Sequence, residues 1–143
     1  MYHSEIIINY EYHDFNPTSF GFESCEPEHD CGSMLRSHWL LHYIVSGHGE
    51  FTREGQTYQL GPGQIFVIPP YMTTYYKASK EDPWHYIWIG FTTDMDMNIF
   101  SQPVITHKNT GNIFQDMLSC QTMKSGRTPY LSACIWKLYA VLA

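Results

Sequence analysis

At 143 residues the chain suits one domain with a core of its own, and its net charge of −6, eight Lys and Arg against fourteen Asp and Glu, excludes phosphate-backbone binding by this segment, which needs clustered cations. No apolar run approaches a bilayer span, and Met1-Tyr2-His3-Ser4-Glu5 has no basic region leading into a hydrophobic one, so a cytoplasmic location is the default expectation. Cysteines 25, 31, 120 and 134 form neither a CxxC pair nor a disulfide framework, which suits reduced thiols.

Residues 1–19 read as an arm with one strand, from the apolar run Ile6-Ile7-Ile8 to Asn16-Pro17. From 20 to 92 short strands alternate with turn chemistry. Phe20–Cys25 and Trp39–Ser46 come first, the latter closed by Gly47-His48-Gly49. Glu50–Arg53 and Gln56–Leu60 flank Glu54-Gly55, a hairpin signal. Gly61-Pro62-Gly63, Pro69-Pro70 and Lys80-Glu81-Asp82-Pro83 then separate Gln64–Ile68, Thr73–Ala78 and Trp84–Thr92. Even spacing of this kind predicts a mainly β antiparallel sandwich or barrel.

After residue 107 the period becomes helical. Ile113, Phe114, Met117 and Leu118 share a face of a helix over 112–124, closed by Ser125-Gly126. Thr128 as N-cap and Pro129 at the first helical position start a second helix. Its seam, Leu131, Ile135, Leu138 and Leu142, fits either a helix lying on its own sheet or a dimer interface.

The segment Gly63-Gln64-Ile65-Phe66-Val67-Ile68-Pro69 resembles the second cupin motif, and Tyr43-Ile44-Val45-Ser46-Gly47 resembles the end of the first. The positions where metal cupins carry ligands hold Met34, Arg36, Leu40 and Thr74 instead, so no metal or cofactor is expected. A zinc set of Cys25, His29, Cys31 and His38 lacks paired knuckles, and Glu23, Glu26, Glu28 and Asp30 read as a solvated acidic loop. No nucleophile–base pair or phosphate loop suggests an enzyme.

Three longer stretches carry a family resemblance. They are Arg36-Ser37-His38-Trp39-Leu40-Leu41-His42-Tyr43-Ile44-Val45-Ser46-Gly47-His48-Gly49, the pattern from Tyr58 and Leu60 through Pro62, Gly63, Phe66, Ile68 and Pro70, and the run from Tyr75-Tyr76 through Glu81-Asp82-Pro83-Trp84 to Gly90-Phe91. Together they resemble the AraC-type regulators of sugar operons, in the raffinose and multiple-sugar-metabolism branch. The resemblance implies a cupin (jelly-roll) barrel over 20–107 that holds an effector sugar, an α-galactoside among the candidates. It also implies an arm over 1–19 near the pocket, a helical dimerisation segment over 108–143 giving a homodimer, and a separate C-terminal helix-turn-helix domain that binds DNA and is absent from this chain. The alternative is a cupin enzyme, metal-dependent or metal-free, acting on a small sugar.

Arabinose-responsive members place a sugar-contacting tyrosine, histidine and tryptophan at spacings that fall here on Tyr75, Tyr86 and Trp88, with tyrosine replacing the histidine. Alternation independently puts Trp84, Tyr86, Trp88 and Gly90 on one face and His85, Ile87, Ile89 and Phe91 on the other. His42 fits either a core histidine or a pocket donor. Glu26 and Arg36, flanking the barrel mouth, fit either charged grips on sugar hydroxyls or solvated loop positions.

Overall fold

Glycine- and proline-bearing turns punctuate the middle of the chain so closely that strands of five to nine residues are all that fits between them. The computed structural model describes residues 2–5, 7–32 and 35–143; Ile6 of the predicted arm strand and Met34 of the cupin ligand positions lie outside them. The strands are β1 (Tyr2–Glu5), β2 (Asn16–Ser24), β3 (Asp30–Gly32), β4 (Trp39–Ser46), β5 (Gly49–Arg53), β6 (Gln56–Leu60), β7 (Gln64–Ile68), β8 (Thr74–Ala78), β9 (His85–Thr92) and β10 (Val104–Thr106). Two helices follow, α1 (Gly111–Ser119), extended by a 3-10 turn at Cys120–Thr122, and α2 (Arg127–Leu142).

Two antiparallel sheets face one another as a cupin jelly roll, ordered β1-β2-β9-β4-β7-β10 and β3-β8-β5-β6. The β5–β6 hairpin turns on Glu54 (φ 52°) and Gly55 (φ 78°), the double left-handed conformation of a type I′ turn. β1, β3 and β10, of four, three and three residues, are too short to leave a period, and β1 lies on Tyr2–Glu5.

β9 separates two cores. Trp84, just ahead of it, and its residues Tyr86 and Trp88 pack between the sheets with Leu40, Ile44, Phe51 and Phe66. Ile87, Ile89 and Phe91 pack outward, under the helices, with Phe15, Phe20, Phe114 and Leu131. Each such side chain, taken fully from water, contributes roughly 1.5–3 kcal/mol. Leu131, Ile135 and Leu138 are fully buried in this second core and Leu142 is half-buried against it, so the apolar seam of α2 is spent inside the chain.

α2 begins one residue before the expected cap. Gly126 is left-handed (φ 77°), Arg127 opens the helix, and Thr128 lies within it. The Thr128 hydroxyl donates to the Ile8 carbonyl at 2.6 Å and Ser132 Oγ to the Phe15 carbonyl at 2.7 Å, which fastens the chain between β1 and β2 to the helix.

Candidate functional site

At one end of the barrel the sheets part around a cavity of about 380 Å³. β9 supplies Tyr86 and Trp88, and β4 supplies Leu40 and His42, which share a face by strand alternation. β8 supplies Tyr76, β2 supplies Ser19 and Glu23, and Tyr2 and Ser4 of β1 close one side. His29, Cys31, Arg36 and His38 reach in from the connections and short strand between β2 and β4.

Trp88 forms the aromatic wall. Its ring lies flat against Tyr2, with centroids 5.4 Å apart and planes 21° apart. Gly21 makes this possible, because a Cβ there would stand 2.6 Å from the Trp88 ring and 2.0 Å from the His3 carbonyl. His42 lies parallel to Phe66 (4.4 Å, 4°) and edge-on to Tyr86 (4.9 Å, 88°), and no protein group among the described residues bonds its Nδ1. Burial, with Arg36 adding to it, pushes the His42 pKa down to about 3, so the imidazole is neutral. His38 is lowered for the same two reasons. Burial raises the Tyr76 and Tyr86 hydroxyls well above the ordinary phenol range, so both are donors at neutral pH. Tyr86 donates to Glu23 Oε1 at 3.1 Å, and Glu23 Oε2 meets His29 Nε2 at 3.4 Å. Among the described residues the wall therefore combines an indole face, the neutral imidazole of His42, protonated phenols, the Glu23 carboxylate and the Arg36 guanidinium.

Tyr86, Trp88, His42 and Arg36 come together here; Tyr75 and Glu26 do not. Along β8 burial alternates with Thr74, Tyr76 and Ala78 inward, and Tyr75 faces out, its hydroxyl donating to Asp30 at 3.0 Å. The gapless spacing from Trp88 back to β8 is thus one residue out of phase, and Tyr76 holds the inward place. Glu26 is exposed in the turn after β2, and Glu23, three residues earlier, is the acid that reaches the cavity. Alternation along β2 could have found Glu23, since Gly21, Glu23 and Cys25 fall at every second position. Tyr2 left no signal.

Of the cupin metal positions described, Leu40, Arg36 and Thr74 bring no ligand set together. A different trio does: donor atoms of Glu23, Cys25 and His29 lie within 4.8 Å of one another. Cys25 is a buried thiol whose pKa burial and the Glu23 charge push up to about 12.

Residues 16–143 match the family model described as the AraC-like ligand binding domain. The Msm operon regulatory protein of Streptococcus mutans is 29% identical over 140 residues, covering 91% of this chain and 50% of that protein. The raffinose operon transcriptional regulatory protein RafR of Pediococcus pentosaceus is 30% identical over 111 residues, 71% of this chain and 40% of that protein. The chain thus spans half or less of the length of these relatives. Among solved structures, YhaK from Escherichia coli shares the fold, with a TM-score of 0.59 at 12% identity over 73% of this chain and 49% of that one. With nine-tenths of its length under one family model, the chain belongs to the AraC-like ligand-binding domains.

Proposed function

We propose that this domain is the effector-sensing part of a cytoplasmic, sugar-responsive transcription regulator, and that its effector is an uncharged sugar held in the cavity beside Trp88. One observation carries the reading: an indole face sits beside the neutral His42 imidazole and the phenols of Tyr76 and Tyr86, with, among the described residues, the Glu23 carboxylate and the Arg36 guanidinium to grip hydroxyls. The names of the relatives, regulators of Msm and raffinose operons, support it. A sugar ring stacked on Trp88 takes the place of Tyr2, so ligand and arm compete for one surface, and the arm's release is the signal. DNA is bound by another domain of the full-length regulator, and none of the chemistry requires catalysis. Because the apolar seam of α2 is buried, self-pairing falls to its exposed face, where Ala133, Trp136 and Ala140 stand at spacings of three and four.

Melting the chain against a panel of sugars that includes α-galactosides tests the reading. A bound sugar at a hundredfold excess over Kd adds about 2.7 kcal/mol, several degrees in Tm, and Trp88→Ala removes the shift. No shift with any sugar, or a shift that survives Trp88→Ala, overturns it.

A further inference from the structure

Glu23 near the end of β2 and Cys25, one residue past it and still bonded to Trp84, stand at alternate positions and so share a face. The turn that follows, closed by the His29 amide on the Glu26 carbonyl at 3.0 Å and passing through a left-handed Glu28 (φ 61°), folds the chain back so that His29 meets them. A carboxylate oxygen, a thiol sulfur and an imidazole nitrogen then lie mutually within 4.8 Å, with Glu23 Oε2 and His29 Nε2 at 3.4 Å. Around a tetrahedral zinc, neighbouring ligand atoms stand about 3.3–3.7 Å apart. The acid and the imidazole already have that spacing, and the thiol has at most about 1.5 Å to close. We propose that Glu23, Cys25 and His29 form a zinc site at the edge of the cavity, separate from the positions that metal cupins use.

The donor set selects the ion. One thiolate, one imidazole and one carboxylate suit zinc rather than the all-oxygen shells of magnesium and calcium, and the two anionic ligands neutralise its charge once the thiol gives up its proton. The surroundings fit as well. Tyr86 donates to Glu23 Oε1 and leaves Oε2 for the metal, an outer-shell bond that orients the carboxylate. The backbone is fastened on both sides, by the Cys25 amide to the Trp84 carbonyl (3.1 Å) and the Ala78 amide to the His29 carbonyl (2.9 Å). Glu23 and His29 both line the cavity, so the fourth coordination position opens on it and takes water or a ligand hydroxyl.

The test uses the tag-free chain, incubated with zinc, dialysed against metal-free buffer and assayed by elemental analysis, with cobalt(II) titrated in parallel. Expected are one retained equivalent of zinc and a thiolate-to-cobalt charge-transfer band. His29→Ala, at an exposed position, abolishes retention, and Tyr86→Phe weakens affinity roughly 10–100-fold. Cys25→Ser removes the band; should that buried substitution fail to fold, the wild-type band reports the thiolate on its own. No retained zinc, zinc undiminished in His29→Ala, or a cobalt complex without the band overturns the site. Sugar-induced melting shifts, measured with and without chelator, succeed or fail independently of these readouts.

Discussion

His42→Leu separates a ligand-binding histidine from a structural one. His42 is 3% exposed, stacked on Phe66, and its Nδ1 has no protein partner among the described residues. Its folded-state pKa of about 3 lies below the ordinary 6.5, so between those values the unfolded chain holds a proton that the folded chain refuses. Stability is therefore full above pH 6.5 and falls with pH down to about 3. At about 1.4 kcal/mol per pH unit the loss totals about 5 kcal/mol, against the 5–15 kcal/mol typical of a whole domain. Leucine has no such proton and removes the unpaired nitrogen, whose burial costs about 1–3 kcal/mol. At pH 7.5 the variant is expected to equal or exceed the wild type by up to that amount, and at pH 4.5 its advantage grows by a further ~3 kcal/mol. The groups facing His42 are the guanidinium of Arg36 and the phenols of Tyr76 and Tyr86, whose raised pKa values keep them protonated throughout this range. Urea unfolding followed by tryptophan fluorescence at pH 7.5, 6 and 4.5 measures the difference, and sugar affinity is expected to fall in the same variant. A wild-type-to-variant difference that stays constant with pH, or a loss of several kcal/mol at pH 7.5, refutes the reasoning.

Tyr75→Phe and Tyr76→Phe test the parity of β8. The first is expected to leave sugar affinity unchanged and stability within about 0.5 kcal/mol, while the second weakens binding by about 0.5–1.5 kcal/mol in calorimetry. Leu138→Asp places a carboxylate in the core under the helices and is expected to unfold the chain, costing more than about 4 kcal/mol by circular dichroism. Ala140→Glu, on the exposed side of α2, is expected to alter sedimentation while leaving the circular-dichroism spectrum of the folded chain unchanged. Tyr2→Ala removes the ring that covers Trp88; if arm and sugar compete, affinity rises roughly 2–10-fold, and a fall in affinity contradicts competition.

Much of the barrel is legible in the sequence because its signals are local. Gly61-Pro62-Gly63 and Pro69-Pro70 bound β7 at Gln64–Ile68, and Glu54-Gly55 forms the β5–β6 turn. Alternation along β9 assigns Tyr86 and Trp88 to the interior and Ile87 and Ile89 to the helices, since successive side chains of a strand must point oppositely. Spacing on α2 likewise identifies Leu131, Ile135 and Leu138 as an apolar face.

What lies against each face was decided by tertiary structure. The same seam serves a partner chain or the chain's own sheet, and burial under the outer face of β9 chose the sheet. On β8 five residues offer either parity, and pairing of Tyr76 with Phe51 on β5 turned Tyr75 outward. Glu23 and His29 meet only because Glu28 adopts a left-handed turn, and Tyr2 reaches Trp88 only because β1 pairs with β2 over Gly21. A local period records which side of an element is apolar. The identity of the neighbour depends on contacts dozens of residues apart, whose energies no single window of sequence contains.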